Sequence, residues 1–135
     1  MIITKNIEQS VQFEGASPHE VYELLMDANK FASLSGKKSE ISRNIGGAVI
    51  TYEGFAKAIN IELIPDVKIV QAWKGGISQW PKDHYSIVVY EFEPQAKGTR
   101  LQFTHIGVPD AGYSIIDAGW PNAYWEPMKK ALAAR

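Results

Sequence analysis

Three histidines, His19, His84 and His105, are the residues of this 135-residue chain best suited to acid–base or metal chemistry, because imidazole titrates near neutral pH and ligates transition metals. Their spacing limits what they can do together. His84 and His105 fall on two strands joined by a turn at Pro94–Gly98. A hairpin closing there pairs residues whose numbers sum to about 193, so His105 stands opposite roughly Val88, and His84 lies about 13 Å away at ~3.3 Å per residue. That is too far for one metal ion. His19 sits on an earlier helix. A hydrogen-bonded core or cavity-lining role is expected for all three.

Asn60, Glu62, His84, Tyr90 and His105 are the polar groups placed to reach the interior, with the facing of Asn60 and Glu62 left open by the pattern. Catalysis would need a positioned pair with shifted pKa values in a closed site, and no nucleophile–base spacing accompanies these residues. Gly46-Gly47 and Gly75-Gly76 lie between strands and read as turns rather than phosphate cradles. The absence of cysteine excludes disulfides, thiolate metal sites and cysteine nucleophiles. No catalytic residue, metal or cofactor is expected.

The elements that position these residues follow from periodicity. Ile7, Val11 and Phe13 alternate with Asn6, Glu8, Ser10, Gln12 and Glu14 as a half-buried strand. Ser17-Pro18-His19-Glu20 is a capping box with proline at the first helical position, and Val21, Leu24 and Leu25 form that helix's inner face. A second short helix is expected over Asn29–Leu34, ended by Gly36. Strands then follow: Glu40–Arg43 and Ala48–Tyr52 around the turn Asn44–Gly47, a long strand from Phe55 to Leu63, then Val67–Trp73, His84–Glu93 and Thr99–Gly107. Short connections make the sheet antiparallel, and it must curl around something.

That something is the last helix. In Gly119–Leu132, Trp120, Tyr124, Met128 and Leu132 recur every four residues beside Ala123, Pro127 and Ala131. A face this aromatic needs a concave partner, since burying each large ring is worth roughly 2–3 kcal/mol. The expected architecture is one α+β domain over residues 1–135, a curved antiparallel sheet wrapped on a C-terminal helix. Trp73, His84, Tyr90, Phe103, His105, Trp120 and Tyr124 are expected to line a cavity between helix and sheet. Trp80, in a loop before Pro81, and Trp125, beside the main apolar face, are candidates for the cavity mouth or a partner contact. Tyr85, Ile87 and Val89 alternate with His84, Ser86, Val88 and Tyr90, and the outward Glu91 and Glu93 put the first set on the exposed face. An exposed apolar stripe is a contact surface, for a homodimer or a larger partner.

Gly54 through Pro65, Ile69-Val70 with Trp73, Trp80-Pro81 followed by His84-Tyr85-Ser86, Gly107-Val108-Pro109, and Gly119-Trp120 with Tyr124-Trp125 and Pro127 together resemble one family. It is the activator of heat shock protein 90 ATPase homologue-like family, C-terminal-domain type, within the START-like, Bet v-like (SRPBCC) helix-grip superfamily. The resemblance runs from about Glu8 to Leu132. It implies a seven-strand sheet gripping the last helix, a cavity between them and no shared enzyme activity. Heat shock protein 90 is the partner it implies. The eukaryotic activator carries a separate N-terminal domain that anchors it on the chaperone, for which 135 residues leave no room, and Leu34 stands where relatives often carry tryptophan.

Fourteen basic and fifteen acidic residues give a net charge of −1, and no basic run exceeds Lys37-Lys38 or Lys129-Lys130, so nucleic acid is not an expected partner. The start lacks the apolar core of a signal peptide, and no stretch approaches eighteen apolar residues. A cytoplasmic protein away from membranes is expected. Its function is read as non-catalytic binding of a small hydrophobic or aromatic molecule, with a co-chaperone second and a cyclase- or hydrolase-type enzyme third.

Overall fold

In the computed structural model, which describes residues 2–135, the chain forms seven strands, β1 (Thr4–Glu14), β2 (Glu40–Ile41), β3 (Ala48–Thr51), β4 (Ala56–Ile64), β5 (Lys68–Gly75), β6 (Ser86–Gln95) and β7 (Gly98–Pro109). They make one antiparallel sheet in the order β1-β7-β6-β5-β4-β3-β2. Two short helices, α1 (Pro18–Met26) and α2 (Ala28–Ser35), interrupt the chain after β1. The start of α1 and the stop of α2 are the ones that the sequence dictates. The Ser17 hydroxyl accepts from the Glu20 amide while the Glu20 carboxylate accepts from the Ser17 amide, and Gly36 closes α2 in the left-handed conformation at φ 70°.

The hairpin register is the expected one, with Val88 opposite His105. The facing of the fourth strand, left open by the pattern, is settled here. Phe55 lies outside β4, whose inward residues are Ala56, Ala58 and Asn60, while Ile59 and Ile61 face solvent. Small side chains are needed inside here because the rings of Phe31 and Tyr124 come down onto this part of the sheet. A bulge between Asn60 and Glu62 then reverses the phase, so Leu63 packs inward and Glu62 pairs outside with Lys68 at 3.2 Å. Asn60 is buried and fully employed. Its amide donates to the carbonyls of Ser42 and Asn44, and its oxygen accepts from Gln71.

The terminal helix is longer than its apolar period suggests. Helical turns run over residues 113–133, as α3 (Tyr113–Trp120), a π-helical turn at Pro121–Trp125 and α4 (Glu126–Ala133). Two prolines lie within it. Each lacks the N–H that would bond the carbonyl four residues back, freeing Asp117 O and Ala123 O. The first strand and the turn after β3 supply the missing donors. Gln9 Nε2 donates to Asp117 O at 3.0 Å, and the Tyr52 hydroxyl donates to Ala123 O. The extra residue of the π turn also rotates the chain, so Trp125 comes to lie over Trp120 with centroids 5.7 Å apart and planes 19° from parallel.

Gln9 is therefore a joint between sheet and helix: it donates to the carbonyl and carboxylate of Asp117 and accepts from the Trp125 indole at 2.6 Å. Gln9→Met keeps the volume and removes these bonds, and should cost about 2–3 kcal/mol in a denaturant titration, from a buried indole N–H and a helix carbonyl left unpaired. Pro121→Ala restores an N–H for Asp117 O. The double variant should lose about 1 kcal/mol less than the sum of the single ones.

Candidate functional site

Trp120 is the centre of the interior. Its ring meets those of Trp73, Tyr90, Phe103, His105, Tyr124 and Trp125 at centroid distances from 4.4 to 6.2 Å. Because α3 and the π turn lay this cluster directly on β5, β6 and β7, the space between helix and sheet is filled rather than hollow. One small void of about 20 Å³ is lined in part by Thr51, Gln71, Tyr90 and Tyr124. Of the residues expected to line a cavity, Trp73, Tyr90, Phe103, His105, Trp120 and Tyr124 pack mostly on one another; Trp73, Tyr90 and Tyr124 border the small void, and Trp73, Trp120 and Tyr124 border an apolar groove. Two further placements differ from expectation. Trp125 is buried by the π turn, not set beside the helix face, and Trp80 is buried in its loop against Trp73, with its indole donating to His84 O at 2.7 Å.

The histidines separate cleanly. His19 is exposed and bonds Asp66 at 2.9 Å. His84 precedes β6 instead of belonging to it, and its Nε2 lies 2.6 Å from Gly107 O. His105 is wholly buried between an indole and a hydroxyl. The Trp120 indole, which can only donate, gives its N–H to His105 Nδ1 at 3.1 Å. The Ser86 hydroxyl donates to Trp73 O at 2.9 Å, so His105 Nε2 carries the proton and donates to Ser86 Oγ at 2.8 Å.

A serine and a histidine at hydrogen-bond distance suggest a nucleophile and its base, but the directions forbid it. The serine proton points at a backbone carbonyl, no carboxylate orients the ring, and both side chains are closed off from solvent. Burial holds the His105 pKa down to about 3, so the ring stays neutral and a second proton at Nδ1 would face an N–H. The unit is a lock. Burial likewise raises the pKa of Tyr90 and of Tyr124, whose hydroxyl lies 2.7 Å from Thr51 Oγ1.

What the molecule offers to a visitor lies just outside this cluster. Between the turn Tyr52–Gly54 and α3 runs a groove of about 360 Å³, walled by Tyr52, Phe55, Ile115, Ile116, Gly119 and Ala123 and floored by Trp73, Trp120 and Tyr124. A depression of about 640 Å³ near Glu20 and Arg135 is larger, but charged side chains line it. Phe55 and Ile115 stand 41% and 49% exposed at the groove's rims. Two features mark it as built. Tyr52 and Glu53 both hold positive φ, 51° and 55°, an unfavourable conformation for residues with a Cβ. Gly119 sits inside a helix, where glycine costs about 1 kcal/mol relative to alanine, yet a Cβ there would meet nothing within 4 Å. Sequence reasoning passed over Tyr52, Phe55, Ile115, Ile116 and Ala123. An unexplained glycine on the helix was the available signal.

A curved antiparallel sheet gripping a C-terminal helix, with a ring-filled interior and an apolar groove at the helix, defines a helix-grip α+β domain. The family model described as activator of Hsp90 ATPase homolog 1-like protein matches residues 15–133, and the chain belongs to that family. It is 26% identical over 131 residues to the Dictyostelium discoideum activator of 90 kDa heat shock protein ATPase homolog, covering 96% of this chain and 33% of the relative. Homolog 2 of Mus musculus is 29% identical over 87 residues, 64% of this chain and 26% of the relative. The chain thus spans about a third or less of these relatives. Among solved structures, an HSP90 activator from Plasmodium falciparum superposes with a TM-score of 0.84 at 22% identity, covering 95% of this chain and 96% of that one. The Aha1 dimer from Colwellia psychrerythraea gives 0.75 at 16%, covering 90% and 92%. At these identities they show the fold.

The His105 lock fixes a pH dependence. Its folded pKa of about 3 lies below the ordinary 6.5, so between those values the unfolded chain binds a proton that the folded chain does not. Its contribution is complete above pH 6.5 and is lost as pH falls through the window, at about 1.4 kcal/mol per pH unit. Between pH 7 and pH 5 the native protein should lose about 2 kcal/mol that a His105→Gln variant, less stable throughout, does not lose. Denaturant titrations at the two pH values check this.

Proposed function

We propose that this chain binds a small, uncharged, apolar or aromatic molecule, without transforming it, in the groove between the Tyr52–Gly54 turn and α3. The observation that carries this reading is the groove's wall chemistry. Its volume of about 360 Å³ falls in the range of small-molecule sites, and two polar groups of its lining residues, the Tyr52 hydroxyl and Ala123 O, are already bonded to each other. The Tyr52 and Tyr124 hydroxyls and the Trp120 indole of its lining are all engaged within the protein, which favours an uncharged, mainly apolar ligand. His84 and His105 are not its anchors, since His105 spends both ring nitrogens within the core and His84 faces Gly107 O.

Gly119→Leu tests it, because a Cβ at this position meets nothing within 4 Å and a leucine side chain built on it takes up groove volume. Binding of an uncharged solvatochromic dye such as Nile red, followed by fluorescence, should weaken at least tenfold. The melting temperature should hold or rise, because glycine is removed from a helix. Unchanged dye affinity in a folded Gly119→Leu protein would remove the groove as the site.

A second reading rests on the family and on the relatives' names: the chain acts on heat shock protein 90 as a stimulator of its ATPase. Adding the purified chain to the cognate chaperone measures it directly. Ligand binding as the main role predicts no change in ATP turnover at saturating concentration. Several-fold stimulation would make the co-chaperone role primary.

A further inference from the structure

The two faces of the sheet differ in kind. On the convex one the expected stripe stands toward solvent, with Tyr85 exposed and Ile87 and Val89 half-buried. On the concave one, four polar side chains, Thr51, Gln71, Tyr90 and Tyr124, meet around the small void of about 20 Å³ although none is more than 8% exposed. The remainder of the lining is apolar, from Leu25 and Phe31 on the two short helices to Ala56, Ala58 and Trp73 on the sheet, and it includes no charged residue.

Hydrogen-bond directions at the void are set from outside it. The Asn60 amide nitrogen donates to Ser42 O at 2.8 Å and to Asn44 O at 3.1 Å, so the Asn60 oxygen is the atom that faces Gln71. Gln71 must then turn its own amide nitrogen toward Asn60, 3.0 Å away, and its Oε1 is left with no donor among the described residues. The Thr51 and Tyr124 hydroxyls lie 2.7 Å apart; one donates to the other, which leaves the pair a single O–H to spend. The Tyr90 hydroxyl has no partner among the described residues, and burial, with the Tyr124 phenol nearby, keeps it protonated. Acceptor and donors thus converge on one small space, and buried polar groups in native proteins are paired with protein or with ordered water.

We propose that the void is the site of one structural water, which donates to Gln71 Oε1 and accepts from the Tyr90 hydroxyl, with the Thr51–Tyr124 pair as its third partner. Size and chemistry both select water. A void of about 20 Å³ has room for one such molecule, and a buried water is ordinarily held by about three hydrogen bonds. A calcium or magnesium ion would need about six oxygen ligands, carboxylates among them, and the lining holds none. The water joins β3, β5 and β6 to the terminal helix through Thr51, Gln71, Tyr90 and Tyr124. Its site does not depend on what the groove binds.

A high-resolution crystal structure of the full chain tests this directly. Density for a water within about 2.6–3.2 Å of both Tyr90 Oη and Gln71 Oε1 is expected, and a dry void overturns the proposal. Tyr90→Phe gives a second reading in solution, because the sign of its effect depends on the water. The ring and its packing on Phe103 and Trp120 are kept, so the variant folds. With the water in place the substitution removes one of its partners, and the melting temperature should fall by about 2–5 °C. Were the hydroxyl unpaired, its removal would relieve a buried polar group, so a melting temperature that holds or rises overturns the bond from Tyr90 to the water.

Discussion

Burying the Trp120 indole, ring and N–H together, is the constraint on which this structure turns. A large ring gains roughly 2–3 kcal/mol on leaving water, but a buried N–H without an acceptor forfeits a comparable amount. His105 Nδ1 resolves the conflict at 3.1 Å. Once it accepts there, its other nitrogen must donate, and Ser86 and the Trp73 carbonyl follow as links of a single directed chain. Three strands are thereby fixed in register beneath one helix residue. The same geometry keeps the imidazole neutral, since a proton at Nδ1 would point at a donor.

The helix depends on the sheet as much as the sheet is shaped by the helix. Pro121 and Pro127 free two carbonyls that an isolated helix would leave to water. Gln9 from the first strand and Tyr52 from the turn after β3 satisfy them. Helix and sheet are thus completed by one another across more than 70 residues of sequence. The π turn between the prolines adds the rotation that carries Trp125 onto the ring cluster.

Filling the interior has a functional consequence. Rings that close the space between helix and sheet move the accessible apolar volume to the edge, where a turn with two residues at positive φ faces a glycine on the helix. In the reading proposed above, that edge takes a small apolar molecule.

Much was determined by sequence alone. The capping box at Ser17–Glu20, the glycine stop at Gly36, the pairing of Val88 with His105 and the buried face of Trp120, Tyr124, Met128 and Leu132 are local patterns, set by backbone chemistry or by a fixed period, and family motifs spread along the chain carried the helix-grip fold. Tertiary structure decided the rest. Whether Ala58 or Ile59 faces inward depends on rings arriving from α2 and the terminal helix. The phase of Trp125 depends on a π turn tolerated only because Gln9 and Tyr52 lie within reach. Whether seven aromatic and imidazole side chains enclose a cavity or fill it depends on their volumes summed in three dimensions, which no period along the chain records.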